Sequence, residues 1–341
     1  MTSRQRVTKA IRHLQPDRMP IDLGMYTASG ISAFAYQNLR AHLGLSSDAV
    51  EIHDCVQTLA RVDRDILERF HCDCMLINPP ISRTNRWKPR PGYEFIVPPW
   101  FHPFQNEKGE WVVEKGGRSM RMPVGGFFFD GDWLDFSDLE GPDRLARYAQ
   151  SAERIFEETE YFTAFRGLSP FYSSNLDYFC DMITDPEPLM ERNKALFARQ
   201  IETMGQIIDC MGRTIGAVCM SGDLGGQTGP LCKPSAFEQV VMPFLKPFND
   251  FVHRNSDLKV FLHCCGGIEP LIPLLIDCGI DILNPVQISA TGMDPARLKE
   301  KYGKDIVFWG GGCNTQHVLG TASPEAVAEN VRTLTDIFKP G

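Results

Sequence analysis

Short apolar runs alternate with stretches of helical periodicity from about residue 155 onward. The runs cover 161–165, 215–220, 259–262, 280–287 and 305–312, and each leads into a polar or glycine-rich loop. This alternation is typical of βα units built around a parallel sheet. The runs are mostly apolar, as expected of strands with both faces buried. The pattern therefore predicts five parallel strands, with helices up to about residue 204, from about residue 234, and over 268–279, 294–303 and 323–338.

Two further strands are predicted upstream, over 19–24 and 74–77, with helices between about residues 31 and 70. Together these elements favour an α/β fold, a (β/α)8 barrel that spans residues 1–341 as a single domain. An eighth strand is expected where the chain stops, at 339–341, directly after a helix. Either the chain lacks the last strand or one upstream strand is miscounted.

Residues 84–135 break the βα alternation. They are rich in Pro, Gly, Trp and Phe, and the run Asn106-Glu107-Lys108-Gly109 is typical of a tight turn. This stretch is predicted to be an inserted β-hairpin region near the mouth of the barrel.

Composition narrows the classes of partner. A formal net charge of -8 argues against nucleic acid and anionic membranes, which attract clustered Lys and Arg. There is no apolar run of about 18 residues and no signal-peptide core, so the cytoplasm is the expected location. The 11 cysteines are an odd number scattered through a large chain, which predicts reduced thiols that serve as core residues or metal ligands.

The strongest chemical signal is His263-x-Cys265, directly after the apolar run at 259–262. Active sites of parallel barrels lie at the carboxyl ends of strands, and imidazole and thiolate are preferred zinc ligands. Residues two apart on an extended chain share one face, so both side chains can reach the same ion, whereas Cys264 points away and packs. Cys313, after the last apolar run, is the candidate third ligand. The alternative for these cysteines is packing in the core.

Other polar residues also follow predicted strands. Asp223 and Gln227 lie in the loop SGDLGGQTGP, whose glycines allow close approach of the backbone to a ligand. This loop matches neither a dinucleotide-binding motif nor a P-loop. The candidates for substrate binding are Asp22, Tyr26, Arg166, Asn284 and Gln287. The cluster of residues 71–74, HCDC, precedes its predicted strand and is expected to be structural.

Several segments carry a family resemblance: DRMPIDLG, GDLGGQTGPL, HCCGGIEPLIPLLIDCGIDILNPVQ, GMDPARLKEKYG and FWGGGCNTQ. With them, the chain resembles the uroporphyrinogen decarboxylase superfamily and, within it, the cobalamin-dependent methyltransferase-like branch. The resemblance implies a (β/α)8 barrel and a zinc site whose His-x-Cys pair maps onto His263 and Cys265. True decarboxylases carry motifs of the form RQAGRYLPEY and GxPFT, where this chain has GMYTASGIS and GLSPFY.

The leading hypothesis is a zinc-dependent methyltransferase that moves a methyl group between a small methylated ether, amine or thiol and a corrinoid. Zinc is expected on His263, Cys265 and Cys313, while Asp223 and Gln227 orient the reacting groups. The chain has no DxHxxG motif, so a separate protein is expected to carry the corrinoid; a homodimer is left open. The alternatives are a metal-independent decarboxylase and a non-catalytic accessory protein that binds corrinoid or metal.

Overall fold

The computed structural model describes residues 1–48, 50–80, 84–132, 134, 136–173 and 175–339. Residues 133 and 135 of the predicted insertion, and residues 340–341 after the last predicted helix, lie outside the described part. The chain divides into two compact units, which are described in turn. The first consists of Met1–Pro20 and Phe162–Gly341, and the second of Ile21–Tyr161.

Helices and strands are numbered in chain order. The α-helices are α1 (Ser3–Ala10), α2 (Ala33–His42), α3 (Arg64–Arg69), α4 (Arg144–Glu158), α5 (Leu176–Thr184), α6 (Pro186–Met211), α7 (Pro234–Val240), α8 (Met242–Asn255), α9 (Ile272–Asp277), α10 (Pro295–Tyr302) and α11 (Pro324–Phe338). The strands are β1 (Val50–Asp54), β2 (Leu59–Ala60), β3 (Asn85–Arg90), β4 (Tyr93–Val97), β5 (Phe104–Gln105), β6 (Trp111–Lys115), β7 (Arg118–Met122), β8 (Asp130–Gly131), β9 (Ala164–Leu168), β10 (Ala217–Ser221), β11 (Gly225–Gly226), β12 (Gly229–Pro230), β13 (Lys259–His263), β14 (Ile282–Asn284) and β15 (Val307–Phe308).

The first unit is built on a parallel five-stranded sheet in the order β15-β14-β13-β10-β9. All five downstream strands predicted from the apolar runs are therefore confirmed, with ends shifted by a few residues. The strands are in register where they end, since Ser221 pairs with His263 and His263 pairs with Asn284. The structure thus confirms a mixed α/β fold and brings the carboxyl ends of three adjacent strands to one edge.

Apolar burial holds this sheet together. Val260, Phe261 and Leu262 of β13 are at most 1% exposed, and each such side chain contributes about 1.5–3 kcal/mol when fully buried. The rings of Phe261 and Phe162 lie 5.5 and 6.1 Å from Trp309, which follows β15. Because both faces of the sheet are covered, the strands lack the alternation of an exposed sheet.

The predicted helices of this unit form, with local differences. The stretch ending near residue 204 is divided into α5 and α6 at Asp185, and Pro186 begins α6, where a proline needs no hydrogen-bond partner. Gly279, with φ +80°, follows the turn that ends α9, as predicted. None of the helices in the described residues is both long and apolar enough to cross a membrane.

The second unit contains two antiparallel or mixed sheets, in the orders β2-β1-β4-β3 and β5-β6-β7-β8. Residues 84–135 contain strands β3 to β8, and a turn lies at Asn106, whose side chain accepts the backbone N–H groups of Lys108 and Glu110. That this stretch is an insertion near the mouth of a barrel stays a prediction. The region predicted as helical upstream contains β1 and β2 between α2 and α3, which the sequence pattern did not indicate.

The strands predicted over 19–24 and 74–77 were wrong, because residues 19–24 and 75–77 form loops and Cys74 makes only an isolated β-bridge. The backbone N–H of Asp73 donates to the carbonyl of Ile21, which is the start of a strand pairing. The Asp73 carboxylate, however, accepts the N–H of Ile21 at 2.9 Å and so occupies a donor that a ladder would use. Asp73 is fully buried, and the structural role expected for residues 71–74 stays a prediction.

Candidate metal centre

Three side chains converge at the carboxyl edge of the parallel sheet. Asp223, His263 and Cys265 each offer a ligand atom, and these atoms all lie within 4.8 Å of one another. The Nε2 atom of His263 is 3.4 Å from the Sγ atom of Cys265 and 3.7 Å from Oδ1 of Asp223. The cluster opens toward solvent on the carboxylate side, where the Asp223 side chain is 49% exposed and that of His263 is 15% exposed.

Strand register places these residues together. Ser221 and His263 are paired at the ends of β10 and β13, so Asp223 and Cys265, each two residues further on, leave the sheet side by side. The Gly222 N–H donates to the His263 carbonyl at 3.0 Å. The Cys265 N–H donates to Oδ1 of Asp223 at 2.8 Å. The chain therefore fixes the two loops to each other through the same residues that offer ligand atoms.

Glycines permit this approach of the two loops. A β-carbon on Gly225 would lie 2.9 Å from the carbonyl oxygen of Cys265, and one on Gly266 would lie 2.2 Å from the carbonyl carbon of Gly225. Gly266 also has φ +93°, a conformation that side chains rarely adopt. Gly225 and Gly266 are thus required by contact between the two backbones, whereas the approach to a ligand expected of the loop glycines stays a prediction.

Two polar side chains, Asn284 and Gln287, contact the residues that carry the cluster. Oδ1 of Asn284 lies 2.7 Å from Nδ1 of His263, and Nδ2 of Asn284 donates to the Trp309 carbonyl at 2.7 Å. Oε1 of Gln287 accepts the backbone N–H of Gly266 at 2.9 Å. Asn284 is only 4% exposed. These contacts come from the end of β14 and from the loops that follow β14 and β15, so strands on one side of β13 buttress the cluster.

The two adjacent cysteines have different surroundings. Burial, followed by the nearby Asp223 carboxylate, raises the pKa of the Cys265 thiol to about 12. Burial also raises the pKa of Cys264 well above its ordinary value, and its Sγ accepts the Leu224 N–H at 3.2 Å. Cys264 therefore stays neutral and anchors the loop after β10, in agreement with its predicted exclusion from the ligand set.

The donor set fits zinc. Zinc binds imidazole nitrogen, thiolate and carboxylate at about 2.0–2.3 Å, which places ligand atoms of a tetrahedral site about 3.3–3.6 Å apart. The separations of 3.4 and 3.7 Å around His263 are close to this spacing. A carboxylate and a thiolate together carry two negative charges, which a divalent cation balances. The same cation would counter the burial and the carboxylate that raise the pKa of Cys265.

The remaining predicted residues of the first unit lie outside the cluster. Cys313 is half-buried in the loop after β15 and is not one of the three converging side chains. Arg166 is half-buried on β9, paired with Cys219. Gln227 is exposed, and its carbonyl accepts the Thr291 N–H at 2.9 Å. Their assignments stay predictions.

Asp22 and Tyr26 belong to the second unit and form a local turn. The Asp22 carboxylate accepts the Met25 N–H at 3.0 Å, and the Tyr26 carbonyl accepts the Ser29 hydroxyl at 3.0 Å. Tyr26 is 5% exposed. Their contact with substrate stays a prediction.

Sequence comparison finds a related family. Residues 186–341 match the family model described as uroporphyrinogen decarboxylase (URO-D). This part of the chain, somewhat less than half of it, is similar to the uroporphyrinogen decarboxylase family. The match covers α6 to α11 and thus every residue of the candidate metal centre, and it confirms the superfamily inferred from the motifs.

Comparison with solved structures bears on the fold of the chain. A methyltransferase from Methanosarcina mazei is similar with a TM-score of 0.52 at 14% sequence identity, over 98% of this chain and 90% of that chain. At this identity the likeness concerns the fold. A search of curated proteins gave no significant match.

Proposed function

We propose that this protein is a zinc-dependent methyltransferase that moves a methyl group between a small methylated compound and a corrinoid carried by a separate protein. The observation that carries the proposal is the convergence of Asp223, His263 and Cys265 at the carboxyl edge of the sheet. A metal-independent decarboxylase has no need of this donor set. Methyl ethers, methylamines and methylated thiols are the substrate classes to be tested.

The fold proposed for this activity is a single (β/α)8 barrel. It is supported by the five parallel strands of the first unit and by the superfamily match. The similarity in fold to a methyltransferase from Methanosarcina mazei agrees with it. In such barrels the reaction takes place at the carboxyl ends of the strands, which is where the cluster lies.

His263 and Cys265 are the proposed zinc ligands, and Asp223 takes the third position because its carboxylate is 3.7 Å from Nε2 of His263. Cys313 is the predicted alternative for that position. Bound zinc supplies Lewis-acid chemistry, in which it polarises a methyl ether oxygen or lowers the pKa of a bound thiol. Three protein ligands leave a coordination position for that group.

The protein's own residues orient the reactants. Methyl transfer depends on linear alignment of donor and acceptor more than on proton transfer, so fixed side chains contribute most. Gln227 is exposed in the same loop as Asp223, and it is assigned to orienting the substrate. Arg166, Asp22 and Tyr26 are assigned to substrate binding, whereas Gln287, predicted for the same role, accepts the Gly266 N–H and is assigned to supporting the loop. The corrinoid protein, and a second copy of this chain, are the proposed partners.

The test combines metal analysis with a spectroscopic assay. Purified protein, its His263→Ala variant and an Asn255→Ala control are analysed for zinc, and each is mixed with Co(I) cobalamin and a panel of methyl ethers, methylamines and methylated thiols. We expect about one zinc per chain, conversion of Co(I) to methyl-Co(III) with at least one substrate class, and loss of both in His263→Ala only. Zinc-independent release of carbon dioxide from an acid substrate would favour the decarboxylase, whereas zinc binding without any methyl transfer would favour an accessory protein.

A further inference from the structure

Asn284 contacts the ring of His263 on the side opposite the cluster. Its Oδ1 is 2.7 Å from Nδ1 of His263, while its Nδ2 is 2.7 Å from the carbonyl oxygen of Trp309. Asn284 is 4% exposed and directly paired with His263 in the sheet. The two side chains are therefore held against each other by strand register rather than by a flexible loop.

The Trp309 carbonyl fixes which way the Asn284 amide points. A carbonyl oxygen can only accept, so the NH2 group of Asn284 must face it. The reversed amide would put two carbonyl oxygens 2.7 Å apart, where they repel each other. The Asn284 oxygen therefore faces His263.

The direction of the amide in turn determines the form of the imidazole. Because the Asn284 oxygen only accepts, Nδ1 of His263 must carry a hydrogen to make the bond. A neutral ring protonated at Nδ1 has its lone pair on Nε2. Nε2 is the atom that lies 3.4 Å from the Cys265 sulfur and 3.7 Å from the Asp223 carboxylate.

We propose that Asn284 is a positioning residue that holds neutral His263 as the Nδ1–H tautomer and so presents the Nε2 lone pair to the cluster. Its role in metal binding rests on the proposed zinc function, whereas the tautomer itself does not. Partners that orient a ligating histidine in this way typically change metal affinity by about 10- to 100-fold when they are replaced.

Nitrogen NMR of the metal-free, 15N-histidine-labelled protein tests the tautomer directly. The His263 signals are identified by their loss in His263→Gln, and spectra are recorded at a pH where the ring is neutral. We expect the Nδ1–H form in the wild type and its loss in Asn284→Leu. Asn249→Leu is the matched control, because Asn249 is fully buried and donates to the Cys278 carbonyl at 2.8 Å.

Zinc affinity, measured by chelator competition, gives the second readout. Zinc affinity should fall about 10- to 100-fold in Asn284→Leu and stay within a few-fold of wild type in Asn249→Leu. The two variants should lose about the same thermal stability, so the comparison isolates the effect on zinc. An Nε2–H tautomer in the wild type would overturn the proposal even if Asn284→Leu fails to fold, and so would an unchanged tautomer in a folded Asn284→Leu. A correct tautomer response in a protein that binds no zinc would instead refute the proposed function and leave the positioning role intact.

Discussion

Gly266 lies so close to Gly225 that a β-carbon built on it would stand 2.2 Å from the Gly225 carbonyl carbon. The contact joins the loop that carries Asp223 to the loop that carries Cys265. Backbone proximity, together with the hydrogen bond from the Cys265 N–H to Asp223 at 2.8 Å, contributes to the spacing of the candidate ligands. The position of the glycines is thus part of the geometry of the site.

The first prediction concerns this contact. Gly266→Ala should destabilise the protein and weaken zinc binding, because the methyl group forces the two loops apart. Gly320→Ala is the matched control, since Gly320 has a similar φ of +84° but nothing within 4 Å of the point that a β-carbon would occupy. The urea-unfolding free energy of Gly266→Ala should be lower than that of the control by about 1–3 kcal/mol, the usual cost of overpacking. Equal unfolding free energies for Gly266→Ala and Gly320→Ala would show that the close contact between the two loops does not affect stability.

The identity of the third ligand gives the second prediction. Asp223→Asn keeps an oxygen that accepts the Cys265 N–H but removes the charge, so the loop should stay folded while zinc affinity falls by more than the roughly 10- to 100-fold typical of outer-layer partners. Cys313→Ser should leave affinity unchanged. Replacing zinc by cobalt(II) allows the thiolate ligands to be counted. The intensity of the sulfur-to-metal charge-transfer band should correspond to one thiolate in both the wild type and Cys313→Ser. A band that halves in Cys313→Ser would assign the third position to Cys313.

Much of the first unit could be predicted because its strands are marked by composition. β10 and β13 are buried on both faces, so their runs are apolar without interruption and easily recognised. The two upstream strands were wrong for a local reason. The carboxylate of Asp73 takes the N–H of Ile21, and a side chain that competes with the backbone is not visible in hydrophobic patterning.

The site could be predicted in part for the same kind of reason. His263 and Cys265 are two positions apart on an extended segment, so their shared face follows from local geometry. Asp223 joins them only because β10 and β13 pair with Ser221 opposite His263, and register between distant strands is not encoded locally. The bond from Asn284 to His263 depends on the same long-range pairing. The useful signal in the sequence was the presence of two Gly-Gly pairs, at 225–226 and 266–267, which mark where the two loop backbones approach each other.

The third prediction separates support from substrate binding at Gln287. Its Oε1 accepts the N–H of the buried Gly266 at 2.9 Å, so Gln287→Leu should leave that donor without a partner and cost about 1–3 kcal/mol of unfolding free energy. Gln287→Glu keeps an acceptor and should stay near wild type. Chemical denaturation of the two variants checks this. If Gln287→Leu were as stable as wild type but raised KM, Gln287 would act on substrate rather than on the loop.

The fourth prediction concerns pH and lies at the opposite end of β13. Burial tends to raise the pKa of Asp281, but hydrogen bonds from His253, Lys259 and the Val260 N–H outweigh it and hold the pKa below its usual value. An aspartate whose pKa is lowered by folding stabilises the folded state above the unfolded pKa of about 3.9 and loses that contribution as pH falls through the lower, folded value.

Asp281→Asn should therefore cost about 1.5–3 kcal/mol near neutral pH, the usual range for hydrogen bonds to a charged group. The difference from wild type should shrink as pH falls below about 4, because the carboxylate of the unfolded chain takes up its proton from there on and that of the folded protein at a lower pH. Urea unfolding of both proteins at about pH 6 and about pH 3 measures this, with the exposed Asp257→Asn as a control that should differ little from wild type at either pH. A difference that stays constant or grows on acidification would mean that Asp281 stabilises the strand by packing rather than by its charge.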